Sequence, residues 1–204
     1  MSVISNDKRP VVAVFDFDGT LTFRDSFLLF LLKTTGYIQF VWGMLYLSPV
    51  MVCYGLKLIP NWQAKERFLR HFFRGWTRED LQRLANIYAY RCIPRLLNPK
   101  AIARLRWHQQ QKHHIILLSA SLEAYLSPWA EQVGIDQVIG TRLEIQGNVL
   151  TGRIDGKNCY GSEKVKRLTQ VLGDLNSYCI HAYGDSRGDL PLLNCVTYPY
   201  YRTF

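Results

Sequence analysis

The 204-residue chain reads as an α/β protein: a Rossmann-like core on a parallel sheet, a long helical insertion and one small β-hairpin. Three observations predict this. Short apolar runs at 11–15, 115–118 and 178–183 have the length and β-branched character of buried strands. Each run ends in a polar cluster: Asp16 and Asp18 after the first, Ser119 after the second, Asp185 and Asp189 after the third. Helical patterns long enough for crossovers separate the runs, which makes the sheet parallel and the connections right-handed.

The elements follow in order. Residues 1–10 are a polar lead-in, and the first strand, Val11-Val12-Ala13-Val14-Phe15, leads into a Gly19-Thr20 turn. A mainly helical stretch fills about 23–100, with pieces at 27–34, 38–58, 63–73 and 78–90 and with Pro60, Gly75 and Pro94 as breakers. Thr77-Arg78-Glu79-Asp80 resembles a capping box for the last piece. A helix at 98–112 precedes the second strand, and another at 122–133 ends at Gly134. Alternation at 138–145 and 149–154 around Gln146-Gly147-Asn148 predicts a hairpin. A helix at 162–172, the third site-bearing strand at 178–183 and a short helix at 189–193 complete the core. The aromatic tail Tyr198-Pro199-Tyr200-Tyr201-Arg202-Thr203-Phe204 has no assignment.

Composition narrows the class. Apolar residues make up 48% of the chain and charged residues 20%, as in ordinary globular proteins. The formal charge of +9 points to an anionic partner, whether a phosphate ester, an acidic membrane surface or nucleic acid. Cysteines 53, 92, 159, 179 and 195 form no CxxC pair and no zinc-like spacing, as expected of buried thiols in a reducing cytoplasm. His113-His114 reads as strand edge or turn rather than as a ligand pair. The first apolar run is too short for a secretory signal and carries the two acids, so the expected location is cytoplasmic.

In parallel sheets, ligands bind outside the carboxyl ends of the strands. Two acids at such an end are costly without a task or a cation. Asp16 and Asp18 therefore point to a site that handles a metal and a phosphate. Asp18 alone could equally cap the following helix, and Ser121 could take the place of Ser119.

Asp16-Phe17-Asp18-Gly19-Thr20-Leu21-Thr22 resembles the first motif of the haloacid dehalogenase superfamily. Three further motifs follow in that family's order: Ile115-Ile116-Leu117-Leu118-Ser119, Gly161-Ser162-Glu163-Lys164-Val165 and Gly184-Asp185-Ser186-Arg187-Gly188-Asp189. The resemblance implies a Mg²⁺-dependent phosphomonoesterase working through an aspartyl-phosphate. It makes Asp16 the nucleophile and Asp18 the acid/base, with Ser119 and Lys164 on the phosphate. It draws Mg²⁺ to Asp16, the Asp18 backbone carbonyl and Asp185, with Asp189 supporting that shell or orienting the lysine. It also divides the chain into a core, 1–22 and 100–204, and a type-one helical cap, 23–99. Asp18 favours phosphoryl transfer over dehalogenation, because displacing a halide needs no proton donor. A pump-like ATPase would carry Lys at Phe17.

The closest branch resembles phosphoserine phosphatases. There Asp25 matches the position of an acid that holds the substrate ammonium, although that acid is normally Glu. Gly19 and Ser119-Ala120-Ser121 also depart from the branch's usual Ser and Ser-Gly-Gly, which weakens phosphoserine as the substrate.

Residues 34–56 contain no charged side chain and are long enough to span a bilayer. A single crossing would put the first two motifs on opposite sides, so it is excluded. Two readings stay open: a packed cap interior, or a re-entrant or interfacial helix pair at the inner face of the membrane. Lys57, Lys65, Arg67, Arg70, Arg74 and Arg78 follow, as an anionic interface would favour. The layout also resembles phosphatidylglycerophosphate phosphatases of the superfamily, which brings in a lipid-phosphate substrate beside a small phosphorylated one. A basic nucleic-acid-binding protein is the non-enzyme alternative. No nucleic-acid motif supports it, and no nucleic-acid partner is expected.

Overall fold

The computed structural model describes residues 8–204; most of the polar lead-in lies outside them. One six-stranded sheet runs in the order β4-β3-β2-β1-β5-β6. Its strands are β1 (Val11–Phe15), β2 (His114–Leu122), β3 (Gln137–Gln146), β4 (Val149–Asp155), β5 (Cys179–Gly184) and β6 (Tyr198–Tyr201). All pairings are parallel except the β3–β4 hairpin.

The central strand β1 is buried on both faces, and its period of two sorts it into two cores. Ala13 and Phe15 join Ile115 and Leu117 in the larger cluster. Val12 and Val14 join Ile116, Leu118, Ile180 and Ala182 in the smaller. Phe15 is in register with both Leu117 and Tyr183, so β1, β2 and β5 end side by side.

The insertion after β1 carries five α-helices among the described residues: α1 (Ser26–Thr35), α2 (Tyr37–Tyr46), α3 (Ser48–Gly55), α4 (Asn61–Phe73) and α5 (Arg78–Arg91). The ends of this insertion meet, because Phe23 N–H donates to the Leu96 carbonyl at 2.9 Å and Asn98 N–H to that of Leu21 at 2.8 Å. Phe30, Phe73 and Tyr88 share the larger core with Tyr125 and Trp129, so the insertion is welded to the sheet side. The hairpin braces it from outside: Gly75 N–H donates to the Leu150 carbonyl, and Leu150 N–H to that of Trp76. The remaining helices are α6 (Pro99–Gln110), α7 (Glu123–Val133), α8 (Ser162–Leu172) and α9 (Leu190–Leu193).

Two elements differ from the sequence expectation. The single helix expected at 38–58 is broken at Leu47 into α2 and α3, bent by 56°. Pro49 explains the break: it has no N–H to offer the carbonyl of Leu45, which accepts instead from the Ser48 hydroxyl at 2.8 Å. No single helix among the described residues is long and apolar enough to cross a membrane. Neither does the packed-interior reading hold for this stretch, since α2 buries only Gly43 and α3 only Val50. The second difference is the aromatic tail, which forms β6. Tyr200 stacks on Tyr183 with ring centres 4.5 Å apart, and Pro199 sits where an edge strand tolerates a missing donor.

Candidate active site

The first carboxylate is set by the sheet ladder. Asp16 follows the last residue of β1 and its N–H donates to the Tyr183 carbonyl at 2.9 Å. Phe17 turns the other way and packs on Trp129. The chain then closes a tight turn, with Thr22 N–H on the Phe17 carbonyl at 3.0 Å and Gly19 in the left-handed region at φ 77°. A Cβ on Gly19 would lie 2.3 Å from Oδ2 of Asp185, so the backbone there approaches the end of β5 more closely than a side chain permits.

Lys164, in the first turn of α8, is buried and reaches two carboxylates: Asp16 Oδ1 at 2.7 Å and Asp189 Oδ1 at 2.5 Å. The Asp189 carboxylate is fully employed. Its Oδ2 accepts from the Ser186 hydroxyl at 2.7 Å and from the N–H groups of Ser186 at 3.0 Å and Asp185 at 3.3 Å. Asp185 follows β5 and accepts from the Thr20 hydroxyl at 3.5 Å. Carboxylate oxygens of Asp16, Asp185 and Asp189 all lie within 4.8 Å of one another.

Asp18 sits between strand and helix. Its Oδ1 accepts from Ser26 N–H at 2.7 Å, at the start of α1, and its Oδ2 accepts from the Ser121 hydroxyl. Both carboxylate oxygens of Asp18 are thus engaged, one by the start of α1 and one by a hydroxyl of β2. Ser119 is buried, and its Oγ accepts from Ser121 N–H at 3.2 Å. Asp25 is exposed and is the N-cap of α1, with Oδ1 accepting from Leu28 N–H at 2.9 Å. One of its oxygens is therefore committed to the helix.

Electrostatics reflect crowding. Burial pushes the Asp16 carboxyl up to about 7 against the pull of Lys164, with Asp189 and Asp18 adding to the rise. Burial also lifts Asp18 to about 6, with Asp25 reinforcing it. Asp185 is raised by burial and by Asp189. Burial alone would raise Asp189 too, but Lys164 and the Ser186 hydrogen bonds outweigh it and hold the carboxyl below its usual range. Lys164 is kept charged by Asp16 and Asp189 in spite of its burial. Three carboxylates, Asp16, Asp185 and Asp189, thus share the field of one buried ammonium. The all-oxygen donor set of Asp16 and Asp185, short of positive charge, suits a hard divalent cation such as Mg²⁺.

Sequence reasoning missed Lys65. The sequence groups it with the cations that an anionic interface would favour, but its amine turns inward from α4 to the Ala120 carbonyl, between Ser119 and Ser121, and lies 3.5 Å from Asn158 Oδ1. Burial lowers its pKa to about 8, against the opposing fields of Asp18 and Asp25. Asn158 is itself clamped, accepting from Thr141 at 2.8 Å and donating to Asn61 at 2.7 Å. The helical position of Lys65 gives a faint signal, because Ala64, Phe68 and Leu69 define the buried face beside it.

The family model of haloacid dehalogenase-like hydrolases matches residues 13–194. Protein CicA of Caulobacter vibrioides is 35% identical over 198 residues, covering 96% of this chain and 87% of that protein. A crystal structure of a protein with unknown function from Bordetella pertussis Tohama I superposes with a TM-score of 0.81 at 26% identity, covering 93% of this chain and 88% of the other. A phosphoserine phosphatase solved as a phospho-aspartyl intermediate analogue gives a TM-score of 0.63 at 15% identity, covering 93% and 85%, a likeness of fold.

Proposed function

From the chain's membership of the haloacid dehalogenase-like hydrolases, as an enzyme of their phosphatase kind, we propose that it hydrolyses a phosphate monoester with Mg²⁺ through an aspartyl-phosphate on Asp16. The observation that carries this reading is the buried Lys164 bridging Asp16 and Asp189, with Asp185 beside them at the carboxyl edge of a parallel sheet.

The geometry supports a role for each residue. Asp16 attacks phosphorus with a carboxylate oxygen as the ester oxygen leaves. Asp18, near neutrality in its pKa, delivers a proton to the leaving oxygen and then takes one from the water that cleaves the acyl-phosphate. Lys164 compensates the charge that collects between Asp16 and the phosphoryl oxygens. Ser119 is assigned to those oxygens at the end of β2, and Asp189 to orienting Lys164. Asp16, Asp185 and the Asp18 backbone carbonyl would hold Mg²⁺. Bound there, Mg²⁺ would offset the repulsion between a carboxylate and a phosphate dianion. Residues 23–99 serve as the cap over this edge, and Lys65 and Asp25 are the side chains that it offers near Asp18.

Small phosphorylated metabolites are the first substrate class. A phospholipid phosphate is the second, favoured by the exposed apolar pair α2–α3 on the same insertion. The reaction itself is tested with an aryl phosphate and Mg²⁺. Turnover should require the metal, and acid-quenched protein should carry phosphate that hydroxylamine releases. Asp16→Asn should abolish both, and retained turnover in that variant would overturn the reading.

A further inference from the structure

The α2–α3 pair exposes an unusual surface. Tyr37, Ile38, Trp42 and Tyr46 are each about 70% exposed, with Leu45 and Val52 close to 60%. Soluble monomers seldom leave so much contiguous apolar area in water. The pair is nevertheless fixed to the fold. A Cβ on Gly43 would meet the Phe72 ring at 2.3 Å, and Tyr46 stacks on His71 with ring centres 5.1 Å apart.

Cations border this surface. Arg67, Arg70 and Arg74 are exposed at one-face spacing on and just beyond α4, and none forms an ion pair among the described residues. With Tyr46, Leu47 and Val50 they line a depression of about 490 Å³. No acidic residue occurs between Asp25 and Glu66.

We propose that α2, α3 and the arginines of α4 form a docking surface for an anionic lipid bilayer, lying in the headgroup plane without crossing it. Charge chooses the occupant. A second copy would set the same arginines against themselves across a two-fold contact. Nucleic acid would satisfy the cations and leave Ile38, Leu45 and Val52 wet. An anionic interface takes both, aliphatic groups into the acyl boundary and Trp42, Tyr37 and Tyr46 at headgroup level. The surface also ends where a lipid phosphate would be useful. Tyr54, near the end of α3, accepts from Asn61 at 3.1 Å, and Asn61 is joined through Asn158 to Lys65. Only this last step rests on the hydrolytic reading; the docking itself does not.

The test is co-sedimentation of the full chain, without substrate, with vesicles of equal parts phosphatidylglycerol and phosphatidylcholine and with phosphatidylcholine alone. Binding should require the anionic lipid and weaken with salt. Replacing Arg67, Arg70 and Arg74 together by Gln should weaken it on the order of 100-fold, about fivefold per arginine. Trp42→Ser with Leu45→Ser should cost at least roughly 10-fold and leave the far-UV circular dichroism and cooperative thermal unfolding of the chain unchanged, which reports that the fold is intact. Protein left in the supernatant with anionic vesicles would overturn the proposal. So would undiminished binding in the Trp42/Leu45 variant, or a dimer formed through this face that excludes vesicles. Each of these outcomes is read without catalysis, so failure here leaves the hydrolytic reading standing, and loss of hydrolysis leaves docking measurable.

Discussion

The hydroxyl of Ser121 donates to Oδ2 of Asp18, fastening the second strand to the loop that leaves the first. The same hydroxyl lies 3.2 Å from that of Ser26, which is 2.9 Å from the Tyr125 hydroxyl, so the proposed acid/base carboxylate ends a buried chain of hydroxyls. The hydrogen bonds from Ser121 and Ser26 favour the ionised carboxylate and restrain the rise that burial imposes. Ser121→Ala removes one restraint, and the Asp18 pKa should climb above about 6. The proposed first chemical step needs Asp18 protonated. The basic limb of kcat/KM governed by this group should therefore move to higher pH, and an unmoved limb would detach Asp18 from proton transfer.

Lys164 opposes the rise that burial imposes on two acids, tempering it at Asp16 and, with the Ser186 hydrogen bonds, reversing it at Asp189. Lys164→Met leaves Asp16 and Asp189 facing each other without a cation, at a cost of roughly 3–5 kcal/mol. Those carboxyls would then titrate above their unfolded values. The folded state would bind more protons than the unfolded one, and stability would return as pH falls. Thermal unfolding should thus show a larger deficit at high pH than at low pH. A deficit independent of pH would mean that Lys164 matters through packing alone.

Gly19 tests the metal reading without touching a carboxylate. An alanine there must adopt φ near 77° and put its Cβ against Oδ2 of Asp185. The strain costs about 1 kcal/mol, and the displaced Asp185 should raise the Mg²⁺ needed for half-maximal activity roughly 10-fold or more. A variant with wild-type Mg²⁺ dependence would remove Asp185 from the proposed metal set.

Strand tips were legible because a buried parallel strand is a short apolar run and its polar exit has few alternatives; Asp16, Asp185 and Asp189 are brought together as that pattern implied. Lys164 was readable from its place at the start of a helix whose capping glycine sits at φ 64°. Other features depended on tertiary partners that no local pattern encodes. Lys65 looks like any lysine on an amphipathic helix until Ala120 is placed beside it. Ser119 and Ser121 share one face of β2, so the strand period cannot divide their roles. In Tyr198-Pro199-Tyr200-Tyr201 the proline argues against a strand, and only the stack on Tyr183 and His181 makes it an edge. The charge-free run at 34–56 satisfies a core and an interface equally. Its exposure is decided by how few side chains α4 and α1 can cover.

The last prediction concerns acid stability and the histidines beside β6. His108 is fully buried, with Nε2 2.9 Å from the Tyr183 hydroxyl and Nδ1 2.7 Å from Nδ1 of His113. A neutral ring can donate on one side and accept on the other, whereas a second proton would place charge in a buried aromatic stack already bordered by Arg104. Burial, aided by His181 and His113, lowers His108 to about 3, and burial with His113 lowers His181 to about 4. The unfolded chain protonates these rings near the ordinary 6.5, so between that pH and about 4 it binds more protons than the folded state. Stability from this cluster is complete above 6.5 and is lost progressively as the pH falls. Asp16 and Asp18, with raised values, act in the opposite sense. The histidine share is therefore isolated by difference, with melting temperatures of wild type and His108→Gln compared across that window. The variant should start lower near pH 7 and show a shallower loss on acidification. Parallel curves would show that His108 is not what the acid attacks.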